Sequence, residues 1–349
     1  MDNPFADRCV LLTGAGGSIG SALAKALLRC SPRSLILLEH SESHLHQIDF
    51  DLSSLPGGHV RAPVLGDFGD RALLDELFAE RKPEIVIHAA AYKQVPLLER
   101  NPIPAVQNNA IGTNVLAQTA QRYGTTMFVM VSTDKAVKPH SVMGASKRVA
   151  ELALLRWISA ETPMRAVRLG NVYGSQGSVV PAFLQQISQA GPVTVTDPAV
   201  NRYFLSLDEA VERVLLAASL PGGGGIFIPH LGEPVRILDL AHQLIQEAGF
   251  QPGNEIPIVM TGLRPGDKMA EQLISDFESV DPTDKGTLRL IKTPQPSPEQ
   301  FDTAMAALQE AVARRDVTAV LESLRQLVPD YRTSAEVLAF AGAPQPSAS

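Results

Sequence analysis

A carboxyl group and an amine stand side by side at Asp134-Lys135, directly after the apolar run Met127 to Ser132 and the hydroxyl of Thr133. Such neighbours can give and take protons only if each leaves its ordinary charge state. Burial would keep the aspartic acid protonated, and burial beside a second cation, which Lys147 supplies, would leave Lys135 neutral. The alternative is a solvated ion pair at a strand end. Met143 and Lys147 are four residues apart, which places them on one helix face. A thioether at Met143 cannot exchange a proton.

A second group of residues has the chemistry of a phosphate cradle. Thr13-Gly14-Ala15-Gly16-Gly17-Ser18-Ile19-Gly20 follows an apolar run and opens a helix-period stretch. There a tight glycine turn lets backbone N–H groups approach a pyrophosphate at the positive end of a helix. The spacing is Gly14-x-x-Gly17-x-x-Gly20, not GxGxxG, so the glycines alone would equally suit a flexible turn. The surroundings favour a dinucleotide. Glu39 ends the second apolar run about 20 residues beyond Gly20, where a carboxylate accepts hydrogen bonds from ribose hydroxyls and repels a 2′-phosphate. NAD is therefore expected in preference to NADP, although His40 and Ser41 could serve a phosphate. Asp67-Phe68, after the third run, would meet adenine, Asp67 being also an ordinary turn residue; Ala89 and Ala90, after the fourth, would let a flat cofactor lie close to the backbone.

These residues sit at the ends of elements that must position them. Apolar runs at Cys9 to Thr13, Leu35 to Glu39, Val60 to Leu65, Ile85 to His88, Met127 to Ser132 and Ala166 to Leu169 alternate with helix-period stretches through Leu23, Leu77 and Leu116. The alternation predicts an α/β fold, a doubly wound parallel sheet with helices on both faces, over residues 1–170. Beyond it the pattern breaks into glycine-punctuated pieces too short to bury a core alone. The expectation is a smaller C-terminal lobe over 171–335, with chain crossing back to the sheet. Two amphipathic helices are expected between about Pro298 and Val328, and 336–349 reads as a disordered tail.

Composition narrows the function classes. Thirty Lys and Arg against 37 Asp and Glu give a net charge of -7, the opposite of a nucleic-acid binder's basic surplus. No apolar run approaches the roughly 20 residues of a membrane span, and the acidic start lacks the pattern of a signal peptide. The two cysteines, Cys9 and Cys30, read as reduced thiols, and the eight histidines show no metal-ligand spacing, so no metal and a cytoplasmic location are expected.

Taken together, TGAGGSIGS, HAAAYKQVPLLE, NNAIGTN, VSTDKAVKP, MGASKR, RLGNVYGSQGSVVP, RYFLSLDEAV and LRPGDK carry a resemblance over about residues 7–330. The chain resembles the extended short-chain dehydrogenase/reductase family of nucleotide-sugar 4,6-dehydratases, in its capsular-polysaccharide (CapD-like) branch, which includes UDP-N-acetylglucosamine 4,6-dehydratases. The resemblance implies a Rossmann-type fold, NAD, a UDP-sugar and the following reaction. Hydride leaves sugar C4 for NAD, a base takes the C5 proton, an acid helps the C6 hydroxyl leave as water, and the hydride returns to C6.

It implies Asp134 as acid, Lys135 as base and Lys147 at the nicotinamide ribose, with Thr133 the nearest hydroxyl to relay the C4 proton. Met143 stands where the wider family has Tyr; in this branch some C5-retaining dehydratases have Met there, so retention is implied. Asn171 through Val180 would surround the nucleotide diphosphate and base. Arg202 and Arg264 are candidates for phosphate contacts, their alternative being surface arginines, and Lys93 lies near the sugar without an assigned step. A homodimer through helices near residues 105–122 and 145–159 is also implied. Large members carry N-terminal transmembrane helices, for which this sequence shows no apolar run, so membrane attachment is not expected here. The competing readings are a nucleotide-sugar 4-epimerase and a non-catalytic nucleotide-sugar or NAD binding protein.

Overall fold

The structure is a computed structural model that describes residues 3–282 and 286–342. The first half alternates strand and helix: β1 (Cys9–Thr13), α1 (Ser18–Arg29), β2 (Ser34–Glu39), α2 (Glu42–Ser53), β3 (Arg61–Leu65), α3 (Arg71–Arg81) and β4 (Ile85–His88). Two short helices, α4 (Val95–Glu99) and α5 (Pro102–Val106), lead through a wide π turn into α6 (Thr113–Arg122), then β5 (Met127–Thr133), α7 (Val142–Trp157) and β6 (Met164–Leu169). Strands β1, β4 and β6 are buried along their whole length, which is why β1 and β4 read as apolar runs and not as alternation, while β6 carries Arg165 and Arg168 into the interior. Helices α3 and α7 start on side-chain caps: Asp70 accepts from Ala72 and Leu73 N–H groups, and Ser141 from Gly144.

The chain continues through β7 (Asn171–Val172), α8 (Val179–Ser188), β8 (Val193–Val195), β9 (Asn201–Arg202), β10 (Phe204–Leu205), α9 (Leu207–Ser219) and β11 (Gly225–Pro229). It ends with β12 (Val235–Arg236), α10 (Ile237–Glu247), β13 (Ile258–Met260), β14 (Ser279–Pro282), β15 (Leu288–Lys292), α11 (Pro298–Ala313), α12 (Val317–Leu327) and α13 (Ala335–Gly342). Among the described residues the main sheet has the order β14-β15-β11-β6-β5-β4-β1-β2-β3. The run from β3 to β11 is parallel, and β14 and β15 close the far edge antiparallel. The strand order reverses between β1 and β4, the switch point at which an open α/β sheet opens a crevice for ligands. The fold is the expected α/β Rossmann type.

Three features depart from the sequence reading. The sheet does not stop near residue 170, because β11, β14 and β15 add three strands to it. The smaller lobe does bury a core of its own, in which Val180, Phe183 and Ile187 of α8 meet Leu240, Leu244 and Ile245 of α10. Two helices on the parallel pair β8–β13 suffice where the short strands alone would not. Residues 336–342, expected in the tail, belong instead to α13, which carries Val337 into the core of the main domain, and the rest of the expected tail, 343–349, lies outside the described residues.

Helices α11 and α12 answer to the two amphipathic stretches, and their packing bears on the implied dimer. Phe301, Leu308, Leu321 and Leu324 join the same core as α6 and α7, and α7 is buried from Val142 to Leu154 except for a half-buried Arg148. The face named for a partner subunit is therefore covered by helices of this chain itself. Among the described residues no helix is long and apolar enough to cross a membrane.

Candidate active site

The glycine turn forms because the backbone must come close to the next strand end. Gly14 has φ +65°, and a Cβ there would lie 2.7 Å from the backbone of Ala90. Gly17 caps α1 without any side-chain bond to the helix, so its first N–H groups face the cleft. Glu39 is buried at the end of β2, where its carboxylate accepts from the N–H groups of Gly16 and Ser41, each at 3.1 Å. It thereby ties the turn to β2. Below the turn His88 bridges Thr13 at 2.6 Å and Thr113 at 2.9 Å, and burial together with the charge of Lys147 lowers its pKa well below the usual imidazole range.

A cleft runs along the carboxyl edge of the sheet from this turn to β7. Gly17, Ser18, Ile19 and Gly20 form one end; Ala89 and Lys93 follow β4; Thr133 ends β5 and Lys135 follows it; Met143 and Lys147 face in from α7; and Asn171 of β7 completes the set. The structure thus brings together eleven of the residues singled out from the sequence. Gly14, Ala90 and Phe68 lie just beneath, Phe68 buried with its ring edge against His88. Asp67 is exposed and closes a turn by accepting from Gly69 N–H at 2.7 Å.

Three of the expected substrate contacts are placed otherwise. Val180 points into the small lobe's core. Arg202 is buried, its guanidinium donating to the carbonyls of Asn201, Met269 and Lys268 at 2.7 to 3.1 Å, so those N–H groups are already engaged. Arg264 is exposed, lies outside the cleft wall and pairs with Asp267 at 2.8 Å.

At the end of β5 the chain turns through Asp134, which is fully buried. The hydroxyl of Thr133 and the ammonium of Lys135 both donate to Asp134 Oδ1, at 2.9 and 3.0 Å, while Oδ2 is buried with no hydrogen-bond partner. Lys135 Nζ also donates to Asn171 Oδ1 at 3.0 Å and lies 3.5 Å from Glu271 Oε1. Burial alone would lower the lysine's pKa, but the carboxylates of Asp134 and Glu271 outweigh it and raise the pKa above its ordinary value. The expected discharge of Lys135 by burial is therefore corrected: the pair is an ion pair, and the cation opposing it is Arg202, not Lys147. Lys147 is the one whose charge burial disfavours. Its burial brings its pKa down to about 8 against the opposing pull of Glu151, and its ammonium donates to Val131 O at 2.9 Å. Lys93, an exposed residue on the cleft wall, also has its pKa lowered by partial desolvation of its ammonium.

Helix α7 presses against this turn. A Cβ at Gly144 would lie 2.3 Å from the carbonyl oxygen of Lys135, so only glycine allows the helix start to pack there. Asn109 joins the segment after β4 to α7, exchanging bonds with the Tyr92 backbone and donating to Ser146. Glu271 was not legible in the sequence, where nothing marks a residue 136 positions beyond Lys135 as its neighbour.

Residues 10–293 match the family model described as polysaccharide biosynthesis protein. The probable polysaccharide biosynthesis protein EpsC of Bacillus subtilis is 45% identical over 280 residues, covering 80% of this chain and 47% of that protein. The chain thus spans about half the length of this curated relative. A UDP-N-acetylglucosamine 4,6-dehydratase (inverting) of Campylobacter jejuni is 32% identical over 281 residues, covering 79% of this chain and 80% of that one. A UDP-glucose 4-epimerase of Rickettsia rickettsii is 33% identical over 282 residues, covering 78% and 80%. Its homologues are thus nucleotide-sugar dehydratases and epimerases, and the chain belongs to the polysaccharide biosynthesis protein family.

Proposed function

We propose that the protein is an NAD-dependent dehydratase that converts a UDP-sugar, UDP-N-acetylglucosamine foremost, into its 4-keto-6-deoxy form with retention at C5. The observation that carries this reading is the Thr133-Asp134-Lys135 turn at the cleft, with Met143 and Lys147 facing it from one turn of α7. Epimerisation needs C4 oxidation alone, whereas a buried carboxyl and an amine at the same strand end supply the acid and the base that loss of water requires.

NAD would lie with its pyrophosphate on the N-terminus of α1, Glu39 excluding a 2′-phosphate, and would accept and return the hydride when bound. Lys147 would hold the nicotinamide ribose. Asp134, ionised in its pair with Lys135, must first take up a proton from solvent to serve as the acid; because it does not line the cleft, that proton would reach substrate through the hydroxyl of Thr133, which does. Lys135 has its amine in the cleft and takes the C5 proton after giving its own to solvent. Met143 offers no proton and shapes the wall, leaving Thr133 as the hydroxyl nearest C4. A cytoplasmic setting, where reduced Cys9 and Cys30 persist, completes the reading.

The test is incubation with UDP-, GDP- and dTDP-sugars followed by mass spectrometry. Loss of one water supports the dehydratase; an isomer of unchanged mass supports the epimerase; tight binding without turnover supports a non-catalytic binder. Asp134→Asn and Lys135→Ala should each lower kcat by at least about 100-fold, with NAD affinity changed less than about threefold by calorimetry.

A further inference from the structure

Glu271 lies in the connection between β13 and β14, far along the chain from β5, yet its carboxylate is buried against the site. Oε1 is 3.5 Å from Lys135 Nζ and 3.9 Å from Arg202 Nε, and Oε2 is 3.2 Å from Lys268 Nζ. Lys268 in turn donates to the carbonyl of Val137, just past the Asp134-Lys135 turn, at 2.7 Å. An ammonium has three N–H donors, and that of Lys135 faces three oxygens: Asp134 Oδ1, Asn171 Oδ1 and Glu271 Oε1.

We propose that Glu271 is a positioning residue for Lys135, a carboxylate that completes the ammonium's set of three oxygen partners and keeps that lysine protonated. The inference rests on the catalytic role given to Lys135 in the proposed function. Its consequence is specific. Lys135 must release a proton to solvent before it can take one from a substrate carbon, and Glu271 raises the pH at which it does so.

The charged groups around the pair come from several elements. Asp134 and Glu271 favour the ammonium, Arg202 opposes it, and Lys268 and the half-buried His140 face Glu271 from the other side. Glu271 balances three cations at once. Its own pKa is lowered by Lys135, Lys268 and Arg202 in spite of its burial.

The test reads the lysine's ionisation directly, by competitive acetylation of the intact protein with acetic anhydride across a pH series and mass-spectrometric quantification at Lys135 and Lys147. In the wild type, Lys135 should become reactive at higher pH than Lys147. Glu271→Gln should shift the Lys135 profile downward by about one pH unit, while Glu271→Asp, which keeps the charge, should restore most of the shift. The acidic limb of the kcat profile should move downward with it.

An unchanged Lys135 profile in a Glu271→Gln protein of native melting behaviour overturns the proposal. If that variant does not fold, the wild type still decides, because a Lys135 that reacts at lower pH than Lys147 is not held as an ammonium. Absence of turnover on every sugar nucleotide would defeat the proposed function and leave the labelling result standing.

Discussion

Lys147 is a buried amine that meets one backbone carbonyl and a distant carboxylate, and its lowered pKa measures what burial costs the charged form. The sign follows from linkage. With a folded pKa of about 8 against 10.5 unfolded, the folded chain binds fewer protons between these values, so stability rises with pH across that window. Below about pH 8 both states carry the charge and the full penalty applies. Lys147→Met should therefore be more stable than wild type at pH 7, by on the order of 2 kcal/mol, and its advantage should fade as pH rises towards 10.5. Urea unfolding at pH 7 and pH 10 measures it, and the same substitution should raise KM for NAD. The spacing of Met143 and Lys147 was enough to place both on the cleft, since a helix fixes which residues share a face. The charge state of Lys135 was not open to that kind of inference. It depends on Glu271 and Arg202, which only the tertiary fold brings near.

At the scale of elements, the site is made by two close approaches of backbone to backbone: the glycine turn against the end of β4, and the start of α7 against the turn after β5. Gly144→Ala would set a methyl group 2.3 Å from the Lys135 carbonyl, so the helix or the turn must move. We expect a loss of about 1–3 kcal/mol in denaturant unfolding and, from displacement of Lys135, a fall in kcat of about 100-fold. Strand ends were readable because β1, β4 and β5 are largely apolar runs that end at turn residues. Helix α2 was harder to read, since its three buried residues, Leu45, Ile48 and Leu52, are set among eight polar residues and an exposed Phe50. Arg202 illustrates a different limit: a sequence shows that it carries a fork of donors but not that three carbonyls of its own chain already accept from it.

The whole molecule is held across its lobes by a buried charge network. Arg168 on β6 is fully buried and donates to both oxygens of Glu151 on α7 and to both of Glu278 in the connection that also carries Glu271; Ser132 on β5 donates to Glu151 as well. Removing Arg168 leaves two buried carboxylates, Glu151 and Glu278, to share Arg148, so Arg168→Leu should cost about 3–5 kcal/mol in equilibrium unfolding. The pH sign is the reverse of that at Lys147. Glu151, whose pKa Arg168 and Arg148 bring down to about 2 against desolvation, contributes stability that is complete above pH 4.5 and is lost as pH falls towards 2. The network also ties the segment bearing Glu271 to the strand beside the catalytic turn, so lobe packing and site geometry share the same bonds.

Whether this arrangement performs an internal redox dehydration is decided most directly by isotope transfer. UDP-N-acetylglucosamine deuterated at C4 should give a product lighter by one water, with the deuterium at C6 and a solvent hydrogen at C5. A product of unchanged mass, or one that has lost water but carries no deuterium at C6, would contradict the account.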